Sequence, residues 1–313
     1  MRIAVLGAGA LGCVIGAALT EADSDVRIVT RSAERAAAMN GSGLVVREGE
    51  QERVVRVRAT TDTRAMGVVD VVVVVVKAYD TETAIESTRS LFDQRTIALT
   101  LQNGLGSEEI LARLLGADRV LAGRTYVGGT MVGPAHVLAS VRGRRTYLGE
   151  LDGSISDRAM RIAAEFDRAG LATTVREDIT TVIWDKLLVN VATGALSAIT
   201  GLDYGHLYQV PEIEAAAIAA VSEAMAVAQA IGVPLSTSRP EDAWRIARDG
   251  LPAEFRASML TSLGNGSMTE IDFVNGAVVR LGERWGVATP VNRTLVACVK
   301  GVERGLSLRR PRL

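Results

Sequence analysis

A glycine-rich hexapeptide at the chain start is the strongest constraint on the fold. Gly7-Ala8-Gly9-Ala10-Leu11-Gly12 follows a short apolar strand, Ile3 to Leu6, and opens a helix reading from Leu11 to Glu21. In that context G-x-G-x-x-G is a dinucleotide-binding turn: Gly7 permits the tight turn, Gly9 lets backbone approach a pyrophosphate, and Gly12 lets helix and sheet pack closely. The helix N-terminus adds amide donors and the positive end of its dipole. A second strand, Val26 to Val29, runs into Thr30-Arg31-Ser32 without the acid that would hold the ribose 2′-hydroxyl of NAD. Arg31 can instead pair with a 2′-phosphate, with Ser32 adding a hydroxyl, so the coenzyme expected is NADPH/NADP. The competing reading of Arg31 is a solvated loop cation.

Strands continue to alternate with helices. Val71 to Val76 are six consecutive valines, as a strand buried on both faces requires. Thr96 to Leu101 repeats the theme, and Ser107 is expected to cap a helix through Leu115. Residues 120–149 read as hairpins, with Gly128-Gly129, Gly133-Pro134 and Arg142-Gly143-Arg144 as turns. Beyond Asp178 only helices are apparent: Ile179 to Ala192, Glu212 to Ile231, Glu241 to Asp249, Ala253 to Leu263 and Glu270 to Trp285. The fold expected is an α/β Rossmann dinucleotide-binding domain over residues 1–177, followed by an all-α domain over 178–313. The last residues, Arg309 to Leu313, read as a solvated tail.

Composition removes several functions. Lys plus Arg (35) balances Asp plus Glu (36) and aromatics are 4%, which disfavours nucleic-acid binding. Two histidines and two distant cysteines, Cys13 and Cys298, make no metal site; both cysteines are expected to be small core residues. Glycines interrupt the apolar run at the start, and no 18 uninterrupted apolar residues occur, so the expectation is a soluble, cytoplasmic protein with no membrane partner. Chemistry must come from Lys, Glu, Asn or Ser.

Lys77 and Asn103 follow strand ends, where ligand crevices of open parallel sheets lie, although a solvated strand-end Lys is common. In Trp184-Asp185-Lys186-Leu187-Leu188-Val189-Asn190, Lys186 and Asn190 share a helix face amid apolar neighbours. Lys186 could equally snorkel from the helix to water. Ser267-Met268-Thr269-Glu270 reads first as a capping box. Ser258 reads as an ordinary helix serine.

Together these residues resemble the ketopantoate reductase (2-dehydropantoate 2-reductase) family. The matching pieces are Gly7 to Gly12, Arg31, Val76-Lys77-Ala78-Tyr79, Gln102-Asn103-Gly104-Leu105-Gly106, Trp184 to Asn190, Ser258-Met259-Leu260 and Thr269-Glu270-Ile271-Asp272-Phe273-Val274-Asn275-Gly276. The resemblance implies a Rossmann domain, a helical domain like the C-terminal domain of 6-phosphogluconate dehydrogenase, and a site between them. It implies NADPH-dependent reduction of a 2-keto acid in pantothenate and coenzyme A synthesis. Lys186 becomes the general acid and Glu270 its partner, with Asn190 and Ser258 on the substrate and Asn103 and Lys77 near the nicotinamide. The partners expected are a small-molecule 2-keto acid and a second copy in a homodimer. The chain departs from the family pattern at Gly194, where an Asn is usual, and at Gly264-Asn265-Gly266-Ser267-Met268, where a basic residue and Pro are usual. The lost amide leaves open a paralogue acting on another 2-keto acid; a non-catalytic NADPH sensor is the alternative of a different class. Restoring Asn at 194 is expected to strengthen ketopantoate binding.

Overall fold

A computed structural model describes residues 1–309. The chain forms two compact units, one from Met1–Gln102 and Ser107–Ile179, the other from Asn103–Gly106 and the residues from Thr180 onward. In the first unit the strands are β1 (Arg2–Leu6), β2 (Asp25–Val29), β3 (Leu44–Glu48), β4 (Gln51–Val55), β5 (Ala59–Thr60), β6 (Val71–Val74), β7 (Ile97–Thr100), β8 (Val120–Thr125), β9 (Gly128–Gly133), β10 (His136–Ser140), β11 (Thr146–Glu150) and β12 (Thr173–Val175). Its helices are α1 (Ala10–Glu21), α2 (Ala33–Ser42), α3 (Thr81–Ser87), α4 (Ser107–Leu115) and α5 (Asp157–Arg168).

Eight strands form one sheet in the order β12-β11-β8-β7-β6-β1-β2-β5, parallel throughout except where β11 meets β8. Ile3 pairs with Val26 on one side and Val71 on the other, so β1 lies between β2 and β6. The valines explain that central position. Val71 and Val73 join the core beneath α1, while Val72 and Val74 join the opposite core with Ile85 and Leu111. A strand with apolar side chains on both faces is stable only where both faces are covered.

The hairpin expectation needs correction. Within residues 120–149 the hairpin is β9–β10, through Gly133-Pro134, and β10 pairs with β3 to join the β3–β4 hairpin in a second sheet of order β4-β3-β10-β9. Gly128-Gly129 starts β9 rather than closing a turn onto β8, and the Arg142-Gly143 turn carries the chain from one sheet to the other. Ser107 does not cap α4 through its side chain; its buried Oγ has no hydrogen-bond partner. The first turn of α4 is held instead by Glu108, 8% exposed, against Arg124 of β8, 1% exposed, at 2.9 Å. Glu108 Oε1 lacks hydrogen-bond alignment, so this is a charge contact.

The second unit contains α6 (Ile179–Thr200), α7 (Tyr204–Leu207), α8 (Pro211–Ala230), α9 (Pro240–Gly250), α10 (Ser258–Gly264), α11 (Asn275–Trp285) and α12 (Pro290–Arg309). Leu187, Leu188, Val191 and Ala195 of α6 are buried with Val221, Trp244 and Val278. By length and composition α6 and α8 could cross a membrane; the apolar window of α6 is 72% buried within the fold.

Two expected helices are shorter. Residues 253–255 are not helical because the carbonyls of Ala253 and Phe255 accept from the N–H groups of Gly205 and Tyr204. The expected helix from Glu270 breaks at Val274 (φ −108°, ψ −97°), leaving a single 3₁₀ turn, Ile271–Phe273, ahead of α11. Cys13 is buried as expected, but Cys298 is exposed on α12. Of the expected tail, residues 310–313 lie outside the described residues.

Candidate functional site

In the sheet unit the glycine turn has the geometry that its sequence requires. Gly7 has φ +122°, and a Cβ there would stand 2.9 Å from the Val76 nitrogen. A Cβ on Gly12 would collide with the Gly7 carbonyl. Gly9, the N-cap of α1, is exposed and has no other group within 4 Å of its Cβ position. The α1 N-terminus has neither a side-chain cap nor an acid in its first turn. Ala8, Gly9, Ala10 and Leu11 thus present backbone at a helix start whose own first turn holds no acid, which fits a pyrophosphate.

Arg31 stands just beyond β2 and donates to both carboxylate oxygens of Asp80, at 3.3 and 2.8 Å. The Ser32 hydroxyl is used elsewhere: it caps α2 by accepting from the Arg35 N–H at 3.2 Å. Arg35 in turn donates to the Ala8 carbonyl at 2.7 Å, bracing the glycine turn. Lys77, half-buried, begins the turn after β6, where its carbonyl accepts from the Asp80 N–H at 2.8 Å. Buried Gln102 ties the neighbouring strand ends together, donating to the Val76 carbonyl at 2.9 Å and to Thr81 Oγ1 at 2.8 Å.

In the helical unit Lys186 and Asn190, both half-buried, lie one turn apart on α6. Asp185 beside Lys186 accepts from the Ser236 N–H at 3.0 Å, fixing that end of the helix. Gly194 continues the same face. A Cβ there would stand 3.3 Å from Met259 Cε, so the absent side chain admits Met259 against α6. Ser258, exposed, precedes Met259 at the start of α10 and is thereby brought to α6.

Asn103–Gly106 belongs to this unit as well. Gly104 has φ +85°, and a Cβ there would collide with the Phe273 carbonyl. That carbonyl accepts from the Leu105 N–H at 2.7 Å. Phe273 donates its own N–H to the Glu270 carbonyl at 3.0 Å, which brings the Asn103 loop to the segment carrying Glu270. Glu270 is 8% exposed. The capping box does not form, because no helix starts beside Ser267. Thr269 anchors the segment instead, its N–H and hydroxyl both donating to Glu303 Oε1 at 2.7 Å.

Sequence reading missed Asp80, Arg35 and the seat of Met259. Asp80 follows Tyr79 directly, and an acid there opposite Arg31 was the available signal. Arg35 and Met259 gave none, since their partners are fixed only by tertiary structure.

Residues 3–153 match the family described as ketopantoate reductase PanE/ApbA, and residues 178–303 match ketopantoate reductase PanE/ApbA C terminal. The 2-dehydropantoate 2-reductase of Halobacterium salinarum is 35% identical over 97% of this chain and 99% of its own. The solved structure of a PanE/ApbA family ketopantoate reductase from Ralstonia eutropha is 32% identical, with a TM-score of 0.89 over 98% of this chain and 100% of the other. A D-mandelate dehydrogenase solved with NADH is 25% identical, with a TM-score of 0.88 over 98% and 100%. These relationships span both units, and the first unit has the parallel sheet and glycine turn of a Rossmann domain. The chain belongs to the ketopantoate reductase family, NADPH-using oxidoreductases that act on a keto or CH–OH group.

Proposed function

We propose that this protein reduces ketopantoate (2-dehydropantoate) to pantoate with NADPH, with the domain roles divided near residue 177. The observation that carries the reading is Lys186 one turn from Asn190 on α6, in a chain 35% identical to a 2-dehydropantoate 2-reductase. NADPH supplies the hydride when bound. The glycine turn, residues Gly7 to Gly12, receives its pyrophosphate and Arg31 its 2′-phosphate, with Lys77 and Asn103 toward the nicotinamide. Lys186 holds its ammonium beside the keto oxygen, stabilises the negative charge developing there and gives up the proton that completes the hydroxyl. Glu270 positions Lys186. Asn190 and Ser258 offer hydrogen bonds to the substrate's polar groups.

A second reading, reduction of another 2-keto acid, is favoured by Gly194, where the family usually has an amide and where Met259 Cε stands 3.3 Å from the Cβ position. Steady-state NADPH oxidation over a panel of 2-keto acids including ketopantoate separates the two. The highest kcat/KM with ketopantoate supports the first reading. Tight NADPH binding with no oxidation by any panel member would leave the non-catalytic sensor.

A further inference from the structure

The order β6-β1-β2 places the chain leaving β6 and the chain leaving β2 on either side of the β1 end, from which the glycine turn emerges. Asp80 stands on the first of these segments and Arg31 on the second. Their ion pair therefore spans the carboxyl end of β1, at 2.8 Å between Arg31 Nη2 and Asp80 Oδ2. We propose that Asp80 is a coenzyme-selecting residue: it competes with the 2′-phosphate for Arg31 and narrows the preference for NADPH over NADH. The inference rests on the reading that Arg31 receives the 2′-phosphate.

The two partners differ in freedom. The Arg31 side chain is 82% exposed at the end of a flexible stem, whereas that of Asp80 is 23% exposed. Asp80 also sits in a fixed turn. Its N–H is bonded to Lys77, and the next residue, Thr81, bonds the Ala78 carbonyl at 2.7 Å while accepting from Gln102. Arg31 is thus the partner that moves.

Its neighbours cannot substitute for it without losing other bonds, because Ser32 caps α2 and Arg35 braces Ala8. A phosphate dianion must draw Arg31 away from Asp80 or bind within a few ångströms of a carboxylate, and either lowers affinity. The 2′-hydroxyl of NADH meets no such penalty, and a carboxylate is the usual acceptor for it.

The test is calorimetric titration of NADPH and NADH into the unmodified protein, Asp80→Asn, Arg31→Ala and the double variant, each verified as folded by circular dichroism. Loss of an exposed ion pair shifts an equilibrium by about 2- to 5-fold. Asp80→Asn should tighten NADPH by that factor without tightening NADH. The gain should vanish when Arg31 is Ala. Unchanged or weaker NADPH binding by Asp80→Asn, with Arg31→Ala weakening it, would overturn the competition and leave the coenzyme reading intact. Unchanged NADPH binding by Arg31→Ala would overturn the coenzyme reading itself, and the competition with it.

Discussion

Met259 rests its thioether on Gly194, with Cε 3.3 Å and Sδ 3.5 Å from where a Cβ at that glycine would stand. The sequence suggests that an Asn at 194 would strengthen ketopantoate binding. In the structure the Cβ of such an Asn would crowd Met259, which must shift to admit it. Gly194→Asn alone should therefore leave kcat/KM for ketopantoate unchanged or reduce it, because overpacking typically costs about 1–3 kcal/mol. Gly194→Asn combined with Met259→Ala should recover activity relative to Gly194→Asn. A rise in kcat/KM from the single substitution would show that Met259 yields freely.

Lys186→Ala should lower kcat by about 10²–10⁴-fold, the usual worth of general acid catalysis. Negative charge on the keto oxygen exists in the transition state, so turnover should suffer more than substrate binding. NADPH affinity, measured by fluorescence titration, should barely change. A folded Lys186→Ala protein with near-full turnover would falsify the assignment and return Lys186 to a snorkelling role.

The buried pair of Arg124 and Glu108 makes a stability prediction. Glu108→Leu takes away the carboxylate beside a buried guanidinium and should destabilise the protein by about 3–5 kcal/mol. Glu108→Leu with Arg124→Met, apolar at both positions, should recover most of that loss. Urea denaturation followed by circular dichroism reads both variants. Equal destabilisation by the single and double substitutions would mean that packing, not charge, dominates.

The two thiols should differ sharply in reactivity. Burial pushes the Cys13 thiol up to about 11, with the nearby Arg35 charge opposing this to a smaller extent. At pH 8 it stays protonated and enclosed, hence unreactive. Cys298 is exposed on α12. Titration of the native protein with a disulfide reagent at pH 8 should modify one thiol rapidly and the second only after denaturation. Loss of the fast phase in Cys298→Ser assigns it; a fast Cys13 would reveal opening of the β1–α1 core.

What could be read from the sequence was local. The glycine turn, the valine strand and the charge-free stretch of α6 each carry their periodicity or spacing within a dozen residues. The failures were of two kinds. Some signals were real but ambiguous: S-x-x-E at Ser267 matches a capping box, yet the chain there bends to place Phe273 against Gly104. Other relationships have no local trace at all. Strand β3 gains its place by pairing with β10 nearly a hundred residues later, and β4 joins that sheet through β3. The roles assigned to Lys186, Glu270, Asn190 and Ser258 came from family resemblance, since ordinary helix-surface readings accounted for each residue alone.

The attachment of Asn103–Gly106 to the helical unit means that the unit cannot be inherited or exchanged as one continuous piece of gene. Leu105 packs against the helical core, and its amide supplies the hydrogen bond to Phe273. A fragment starting at residue 178 would keep the Phe273 carbonyl and lose that donor. Any chimera joining the sheet unit of one relative to the helices of another would have to carry these four loop residues with the helices. Recombination at the apparent boundary alone would pair a loop with a partner segment it had not been selected to fit.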